Sequence, residues 1–293
     1  MKTHFRNEIC AKCGKAYDPA RGSCPECGTA SVDFDSVKGF VHMTPMGWGK
    51  EIALFLTGWL GFQLIALAIE LITLSTTKSA LESAGLSQAS LEAGLQAFSS
   101  STAFYEVVDF TAYVVLFSVM LVILDKDLYR LTKKFKESRS YYGFICGVGV
   151  MFFGILYNFV ISLSGLEGDN NNQRVINAMT ADSPILSLVV FGLIGPFTEE
   201  LAYRVGLFGV LKRINVYLAY ILTALIFGFI HFDFQNAGSA LEWAYLPDYV
   251  ISGVLFALIY DKFGFGASYI AHAGNNFLGT LLSIIKNRLE SGK

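Results

Sequence analysis

Two adjacent glutamates and an arginine follow a long run without charged residues, in the segment Pro196-Phe-Thr-Glu-Glu-Leu-Ala-Tyr-Arg204. On a helix, Glu200 and Arg204 lie one turn apart, so they share a face and can form an ion pair. Glu199 points about 100° away from that face, and its own neighbour one turn on is Tyr203. Glu199 is therefore the freer carboxylate, and such a group can act as a general base or a general acid.

Two of the four histidines lie in or beside apolar segments, in Phe227-Gly-Phe-Ile-His231 and His272-Ala-Gly-Asn-Asn276. Ionisable side chains in membrane segments are costly and usually face a cavity or a functional site. At about 1.5 Å per residue, Glu199 and His231 each lie roughly 20 Å from the hairpin near residue 214, which can bring them together. The same counting leaves the depth of His272 open. Each residue alone is more simply explained by packing, but the set together predicts a site.

These three motifs, EE-x3-R, F-x3-H and H-x3-N, occur in this order on successive apolar segments. In this order they resemble the CPBP family, the CAAX-processing and bacteriocin-processing intramembrane proteases, also called the Abi family. The resemblance extends over residues 141–285, and it implies an endopeptidase that cleaves membrane-associated peptides or proteins.

The resemblance also implies roles for the motif residues. Glu199 would activate the attacking water with help from His231. His272 and Asn276 would stabilise the oxyanion as hydrogen-bond donors. Glu200 and Arg204 would hold the helix and orient Glu199, and Phe227 would shape the pocket.

The residues leave the involvement of a catalytic divalent metal open. Two histidines and a glutamate are an acceptable zinc triad with water in the fourth position. The same side chains also suit a metal-free glutamate mechanism. Asn276 favours the metal-free mechanism slightly, because an amide is a poor zinc ligand and a good oxyanion donor.

Two other functions remain open at this point. A proton-coupled carrier could use the same residues, since glutamate and histidine chains relay protons across membranes. Carriers often contain inverted repeats, and no convincing internal repeat is found here. A non-catalytic membrane protein for bacteriocin self-immunity or regulation would also fit the motifs. A zincin-type protease is excluded because the sequence has no H-E-x-x-H.

Four of the five cysteines lie near the N-terminus, in the pairs Cys10-Ala-Lys-Cys13 and Cys24-Pro-Glu-Cys27. Two C-x2-C turns separated by ten residues predict a tetrahedral four-cysteine zinc site, here a short zinc ribbon. Two disulfides are the alternative, but a cytosolic location would keep these thiols reduced. The predicted zinc is structural, because four thiolates leave no open position for a substrate. A cytosolic protein partner could bind through this ribbon.

Composition predicts an all-α polytopic membrane protein that carries this ribbon at its N-terminus. Only 16% of the 293 residues are charged, against about 25% in soluble globular proteins. Apolar segments long enough to cross a bilayer as helices recur along the chain, and they predict seven or eight transmembrane helices. The seven predicted segments are 52–74, 104–124, 141–163, 185 onward, 216–232, 244–260 and 264–285.

The distribution of Lys and Arg predicts the orientation in the cell membrane. Residues 1–51 contain seven and residues 125–140 contain six, whereas the segments 75–103 and 164–184 contain one each. The positive-inside rule then places the N-terminus in the cytosol. The first 50 residues lack the apolar core of a signal peptide. The net charge of −2 gives no indication of nucleic-acid binding.

The predicted domain organisation follows from these features. Residues 1–30 form the ribbon, 31–50 a linker, 51–140 the N-terminal transmembrane helices and 141–290 the catalytic membrane core. The segment 75–103 is interpreted as a connector or a lid, and the polar run 167–173 as a solvated loop. Glu106 and Asp109 are interpreted as interfacial residues.

Overall fold

The computed structural model describes residues 8–10, 13, 15–17, 23–28, 46–133 and 140–292. Most of the predicted linker 31–50 and the basic residues 134–139 lie outside the described part. Near the N-terminus, β1 (Glu8–Ile9) and β2 (Ala16–Tyr17) pair as an antiparallel hairpin.

Nearly all the rest of the described chain is helical. The helices are α1 (Trp48–Ser83), α2 (Gln88–Ser99), α3 (Thr102–Leu124), α4 (Lys126–Lys133), α5 (Ser140–Leu163), α6 (Asn171–Asp182), α7 (Pro184–Lys212), α8 (Val216–Phe229), α9 (Ala240–Phe263) and α10 (Phe265–Ser291). A single 3₁₀ turn, Phe234–Asn236, lies between α8 and α9.

In the described residues, five helices are long and apolar enough to cross a membrane: α1, α3, α5, α7 and α9. The predicted all-α polytopic membrane fold is confirmed, but the predicted count of seven or eight is not reached by this measure. α8 has 14 residues and rises only about 21 Å, less than the roughly 30 Å hydrocarbon core. α10 has 27 residues, but its polar central turn and charged end lower its hydropathy.

Two segments that connect the predicted transmembrane helices contain helices of their own. α1 continues to Ser83, and α2 then packs on both α1 and α3, with the backbone of Gly94 close to the Leu81 side chain. The polar run 167–173 is exposed only up to Asp169. Asn170 is buried and caps the start of α6, where its side chain accepts a hydrogen bond from the backbone N–H of Gln173. The interpretation of this run as a solvated loop is therefore wrong for its second half.

Small residues let the helices that carry the predicted motifs approach closely. A Cβ atom on Gly206 of α7 would lie 2.8 Å from the backbone nitrogen of Phe55 in α1. Gly143 and Gly147 of α5 similarly face the backbone of α10 at Ala267 and Ala271. Close contacts through small residues are the usual means of packing membrane helices, because lipid supplies little hydrophobic driving force between them. They fix α7 and α10 beside their neighbours.

Three ion pairs connect the helices at one end of the bundle, and we call this region the ion-paired end. The pairs are Lys50–Asp127 at 2.6 Å, Arg213–Glu51 at 2.7 Å and Lys212–Asp261. The start of α1, the end of α3, the end of α7 and the end of α9 therefore lie on the same side. α10 begins there too, because Gly264 alone joins it to α9 with a φ of +87° that favours glycine.

Candidate active site

Glu199 lies at the point where α7 changes from α-helical to wider π-helical turns, which cover Glu200–Phe208. Such wide turns are rare and occur frequently at functional sites. The Glu199 side chain is 14% exposed. Its Oε1 accepts a 3.5 Å hydrogen bond from the Tyr113 hydroxyl of α3, and its Oε2 has no hydrogen-bond partner in the described part of the chain. One carboxylate oxygen is thus held and the other is free to bind a ligand.

Glu200 is fully buried and contacts α10 as well as its own helix. Its carboxylate accepts hydrogen bonds from Nδ1 of His272 at 2.9 Å and from the Ser268 hydroxyl. A carboxylate can only accept, so the hydrogen on Nδ1 of His272 follows from its partner. This leaves Nε2 of His272 facing Glu199, 3.8 Å from Oε2. The contact also fixes the depth of His272, which residue counting left open.

Arg204 is fully buried beside these groups. Its Nε lies 3.5 Å from Oε1 of Glu200, as the one-turn spacing predicts, and its guanidinium lies 4.3 Å from the centre of the Phe227 ring. Its three nitrogens have no hydrogen-bond partner in the described residues. The negative charge of Glu200 and the face of the Phe227 ring offset the cost of burying this cation. In the structure, Glu200 contacts His272 directly and Arg204 pairs with Glu200. The resemblance instead implies that both residues orient Glu199.

His231 lies just beyond the end of α8, not on the helix as the F-x3-H spacing predicts. Because the helix has ended, the carbonyl of Phe227 accepts a 2.8 Å hydrogen bond from Nδ1 of His231. A carbonyl only accepts, so Nε2 is the nitrogen with the free lone pair. The imidazole also stacks on Tyr249 of α9, with ring centres 4.5 Å apart. The backbone and one aromatic ring therefore set the orientation of this histidine.

The loop that carries His231 is attached to the start of α6 by buried polar contacts. Glu242 of α9 is 2% exposed and accepts hydrogen bonds from the backbone N–H groups of Asn171 at 2.7 Å and Asp233 at 3.0 Å. The Asn170 side chain donates to the carbonyl of His231 at 3.4 Å. Burial opposes ionisation of Asp233, but hydrogen bonds from Asn236, Gln235 and Asn171 lower the pKa of Asp233 below its ordinary value.

Asn276 of α10 lies one turn beyond His272. Its amide donates to the carbonyl of Phe191 at 3.4 Å and its carbonyl oxygen accepts from Asn275 at 3.3 Å. Both contacts are long, so the amide is only weakly engaged.

A cavity of about 620 Å³ brings these groups together. Four of the predicted site residues line it: Glu199, His231, His272 and Asn276. Glu200 and Arg204 lie behind its wall, in contact with His272 and Phe227. α6 covers one side of the cavity, and the exposed side chains of Trp59 and Gln63 reach it from α1.

Sequence reasoning missed two residues of this cavity, Tyr113 and Asp109. They lie one turn apart on α3 and both line the cavity beside Glu199. Asp109, interpreted from the sequence as an interfacial residue, thus also lines the cavity. The available signal was their i, i+4 spacing on an apolar helix, but no spacing relates α3 to the distant motifs.

The four N-terminal cysteines lie together. Their sulfur atoms are all within 4.8 Å of one another, with Cys10–Cys27 at 3.4 Å and Cys13–Cys24 at 3.6 Å. These distances are much longer than a disulfide of about 2.05 Å, so none of the four cysteines is disulfide-bonded to another. They are close to the roughly 3.8 Å expected between thiolates around a tetrahedral zinc ion. Gly28 follows Cys27 with a φ of +67°, which closes the second turn.

The cavity has no comparable set of metal ligands among the described residues. Within the described residues, the cysteines are the one group of three or more histidine, cysteine or carboxylate ligands close enough to hold an ion. Glu199, His231 and His272 line one cavity, but their ligand atoms do not converge in this way. One ring nitrogen of each histidine is already engaged by Phe227 or Glu200.

Comparison with known proteins supports the motif assignment. Residues 181–278, about a third of the chain, match the family model described as type II CAAX prenyl endopeptidase Rce1-like. This stretch contains all three motifs. No solved structure gives a significant match to the chain.

Curated relatives are similar at low identity. "Putative membrane peptidase YdiL" of Bacillus subtilis (strain 168) is 25% identical over 161 residues, 54% of this chain and 62% of that protein. The UPF0177 protein YxdF of Lactococcus lactis subsp. lactis (strain IL1403) is 25% identical over 142 residues, 45% of this chain and 72% of its own length. The chain thus spans less than two thirds of the first of these relatives. The predicted resemblance is confirmed: residues 181–278 are similar to the Rce1-like family of membrane endopeptidases, in a multi-pass protein with an N-terminal four-cysteine cluster.

Proposed function

We propose that this protein is an intramembrane endopeptidase in which Glu199 activates the water that attacks a peptide bond. The observation that carries the proposal is the pairing of Glu199 and His272 in one cavity. Glu199 has an unengaged Oε2 there, and Nε2 of His272 faces it at 3.8 Å. A fully buried carboxylate, Glu200, holds the other nitrogen of His272. Such an arrangement suits proton transfer, because base and donor are positioned before the substrate enters.

The reaction follows from these positions. Glu199 takes a proton from water, assisted by Nε2 of His231, as the water oxygen bonds to the carbonyl carbon of the substrate. The carbonyl π electrons move onto oxygen, and His272 and Asn276 donate hydrogen bonds to this oxyanion. The carbon–nitrogen bond then breaks, and the proton held by Glu199 passes to the leaving nitrogen. The products are a carboxyl terminus and an amino terminus.

To stabilise the oxyanion, His272 must carry a hydrogen on the ring nitrogen that faces the cavity. Donation to the oxyanion requires a hydrogen on Nε2 in addition to the one on Nδ1 that Glu200 accepts. Two carboxylates face the ring, Glu200 at Nδ1 and Glu199 at Nε2. Glu200 and Arg204 are therefore positioning residues that act through His272.

The N-terminal cluster supports a separate, structural role. Cys10, Cys13, Cys24 and Cys27 would hold one zinc ion, which supplies folding energy to the hairpin and keeps no open coordination position. The positive charges near the ion-paired end support a cytosolic N-terminus. The cavity wall that α6 forms then faces the opposite side of the membrane, and the ribbon is available to a cytosolic protein partner.

Reconstitution tests the proposal. The full-length protein in lipid nanodiscs is incubated with a panel of lipid-anchored peptides, and products are identified by mass spectrometry. We expect cleavage by the wild type and a loss of about 10²- to 10⁴-fold in rate for Glu199→Gln. Glu92→Gln, an exposed glutamate of α2, is the matched control and should retain full activity. Undiminished cleavage by Glu199→Gln would remove Glu199 from the chemistry.

A chelator experiment separates the effect of the ribbon zinc from the effect of any metal in the cavity. Cys10→Ser weakens the predicted ribbon zinc, so any remaining effect of a chelator on this variant would come from the cavity. We expect the cleavage rate of Cys10→Ser to be insensitive to chelation, because the ligand atoms in the cavity do not converge. Inactivation that added zinc reverses in this variant would contradict that expectation.

A further inference from the structure

The carboxylates that line the cavity outnumber its lysine and arginine side chains, so its wall is mainly negative. Acidic side chains line it from four different helices or helix ends, and neither lysine nor arginine is among the lining residues of the described chain. The acidic residues are Asp109, Asp169, Glu199 and Asp248. This cavity therefore attracts cations and repels acidic ligands.

Two of these carboxylates lie on different transmembrane helices that line the cavity. Asp109 is in the eighth position of α3 and Asp248 in the ninth position of α9. Both helices begin on the side opposite the ion-paired end, so the two residues lie roughly 10–12 Å in from that side. Oδ1 of Asp248 is buried and has no hydrogen-bond partner in the described residues. A buried carboxylate oxygen without a partner is costly, which indicates that a ligand completes the site.

A second polar group in the wall also lacks a partner. Thr180 of α6 is 1% exposed, it lines the same cavity, and its hydroxyl has no hydrogen-bond partner in the described chain. The aromatic rings of Tyr245 and Tyr249 line the wall near Asp248. Carboxylates, a hydroxyl and aromatic faces are the groups that bind an ammonium or guanidinium ion.

Three buried carboxylates at the ion-paired end have a different environment. Glu51, Asp127 and Asp261 each pair with a lysine or an arginine within the protein. At the cavity the corresponding cation is absent from the lining, so the charge is available to a molecule that enters.

We propose that Asp109 and Asp248 bind a cationic side chain of the substrate, lysine or arginine, close to the scissile bond. They are then specificity-determining residues, and the substrate class is a membrane-associated polypeptide with a basic residue in the cleaved segment. This inference rests on the proposed protease function, which supplies the polypeptide. The ammonium or guanidinium enters the cavity that these two helices line, and the bond to be cleaved faces Glu199.

Binding and cleavage are measured separately to test this. The probes are N-palmitoylated decapeptides of one sequence in which a single position, moved along the chain, carries lysine, norleucine or glutamate. Norleucine has the same four-carbon side chain as lysine but lacks the terminal ammonium group. Binding to the Glu199→Gln variant in nanodiscs is measured by microscale thermophoresis, so it does not depend on cleavage. At one or two positions we expect the lysine peptide to bind about tenfold more tightly than the norleucine peptide, and the glutamate peptide most weakly.

The variants Asp109→Asn and Asp248→Asn, made in the same background, should reduce the lysine preference and leave norleucine binding unchanged. Asp182→Asn, on the exposed end of α6, is the matched control and should keep the preference. Equal binding of lysine and norleucine peptides at every position, or a preference that survives in both variants, overturns the inference. Lysine-selective binding without cleavage by the wild type would sustain the inference for binding and overturn the protease proposal.

Discussion

Buried charges occur in two regions of this membrane protein, and their partners differ. At the ion-paired end, Glu51 is fully buried and is held by Arg213 at 2.7 Å, with Arg213 also donating to the carbonyl of Met46. In the cavity, Glu199 and Asp248 each keep an oxygen without a partner in the described residues. Charges that are fully paired serve the assembly of helices, whereas charges left with free lone pairs are available for ligands.

The Glu200–Arg204 pair shares features with both regions. It is fully buried like the Glu51–Arg213 pair, but Glu200 also holds His272. The difference between the two pairs is therefore in what else the carboxylate contacts, and it can be tested by removing one arginine from each.

The largest effect is expected from Arg204→Leu and Arg213→Leu, compared side by side. Each leaves a buried carboxylate without its cation, which costs about 3–5 kcal/mol of stability. Unfolding in nanodiscs or mixed micelles should show similar losses. Activity per folded molecule should fall only in Arg204→Leu, because only that carboxylate contacts His272. Equal activity losses in both variants would show that the two pairs do not differ in function.

A smaller effect is expected at the polar contacts that hold the His231 loop. Glu242→Ala removes the acceptor of two backbone N–H groups, Asn171 and Asp233, and should cost roughly 2–3 kcal/mol, since hydrogen bonds to charged groups contribute about 1.5–3 kcal/mol each and are not additive. Glu242→Gln keeps one acceptor oxygen and should recover part of the loss. Hydrogen exchange of residues 230–236 measures the loop directly, and unchanged exchange in Glu242→Ala would contradict the attachment.

Tyr113→Phe tests the contribution of α3 to the cavity. It removes one long hydrogen bond to Glu199 and should reduce kcat severalfold with little change in KM, equivalent to about 0.5–1.5 kcal/mol. Tyr105→Phe is the matched control, because Tyr105 is an exposed tyrosine on the same helix. A loss confined to KM would place Tyr113 in substrate binding rather than in the orientation of Glu199.

Local spacing made part of this arrangement predictable from the sequence. The i, i+4 rule gave the Glu200–Arg204 pair, and the C-x2-C spacing gave the cysteine cluster. The contact between Glu200 and His272 spans 72 residues, and only tertiary packing brings these side chains together. α8 ends at Phe229, and Glu242 connects the loop that follows to Asn171, a contact that spans 71 residues. Tyr113 and Asp109 are outside the three motifs, so no local pattern connected them to the cavity.

The smallest effect is expected at Asp233, which is a partly exposed counterpart of the buried carboxylates. Hydrogen bonds from Asn236, Gln235 and Asn171 keep the pKa of Asp233 below its ordinary value, against the opposing effect of burial. A carboxyl group whose pKa is lower in the folded state stabilises the fold above its unfolded pKa of about 3.9, and this contribution is lost as the pH falls through the folded pKa. The thermal midpoint of the wild type should therefore exceed that of Asp233→Asn at pH 6, and the difference should shrink below pH 4. Since Asp233 is near the surface, the difference should also decrease at high salt. A difference that is constant from pH 6 to pH 3 would show that the Asp233 charge does not stabilise the loop.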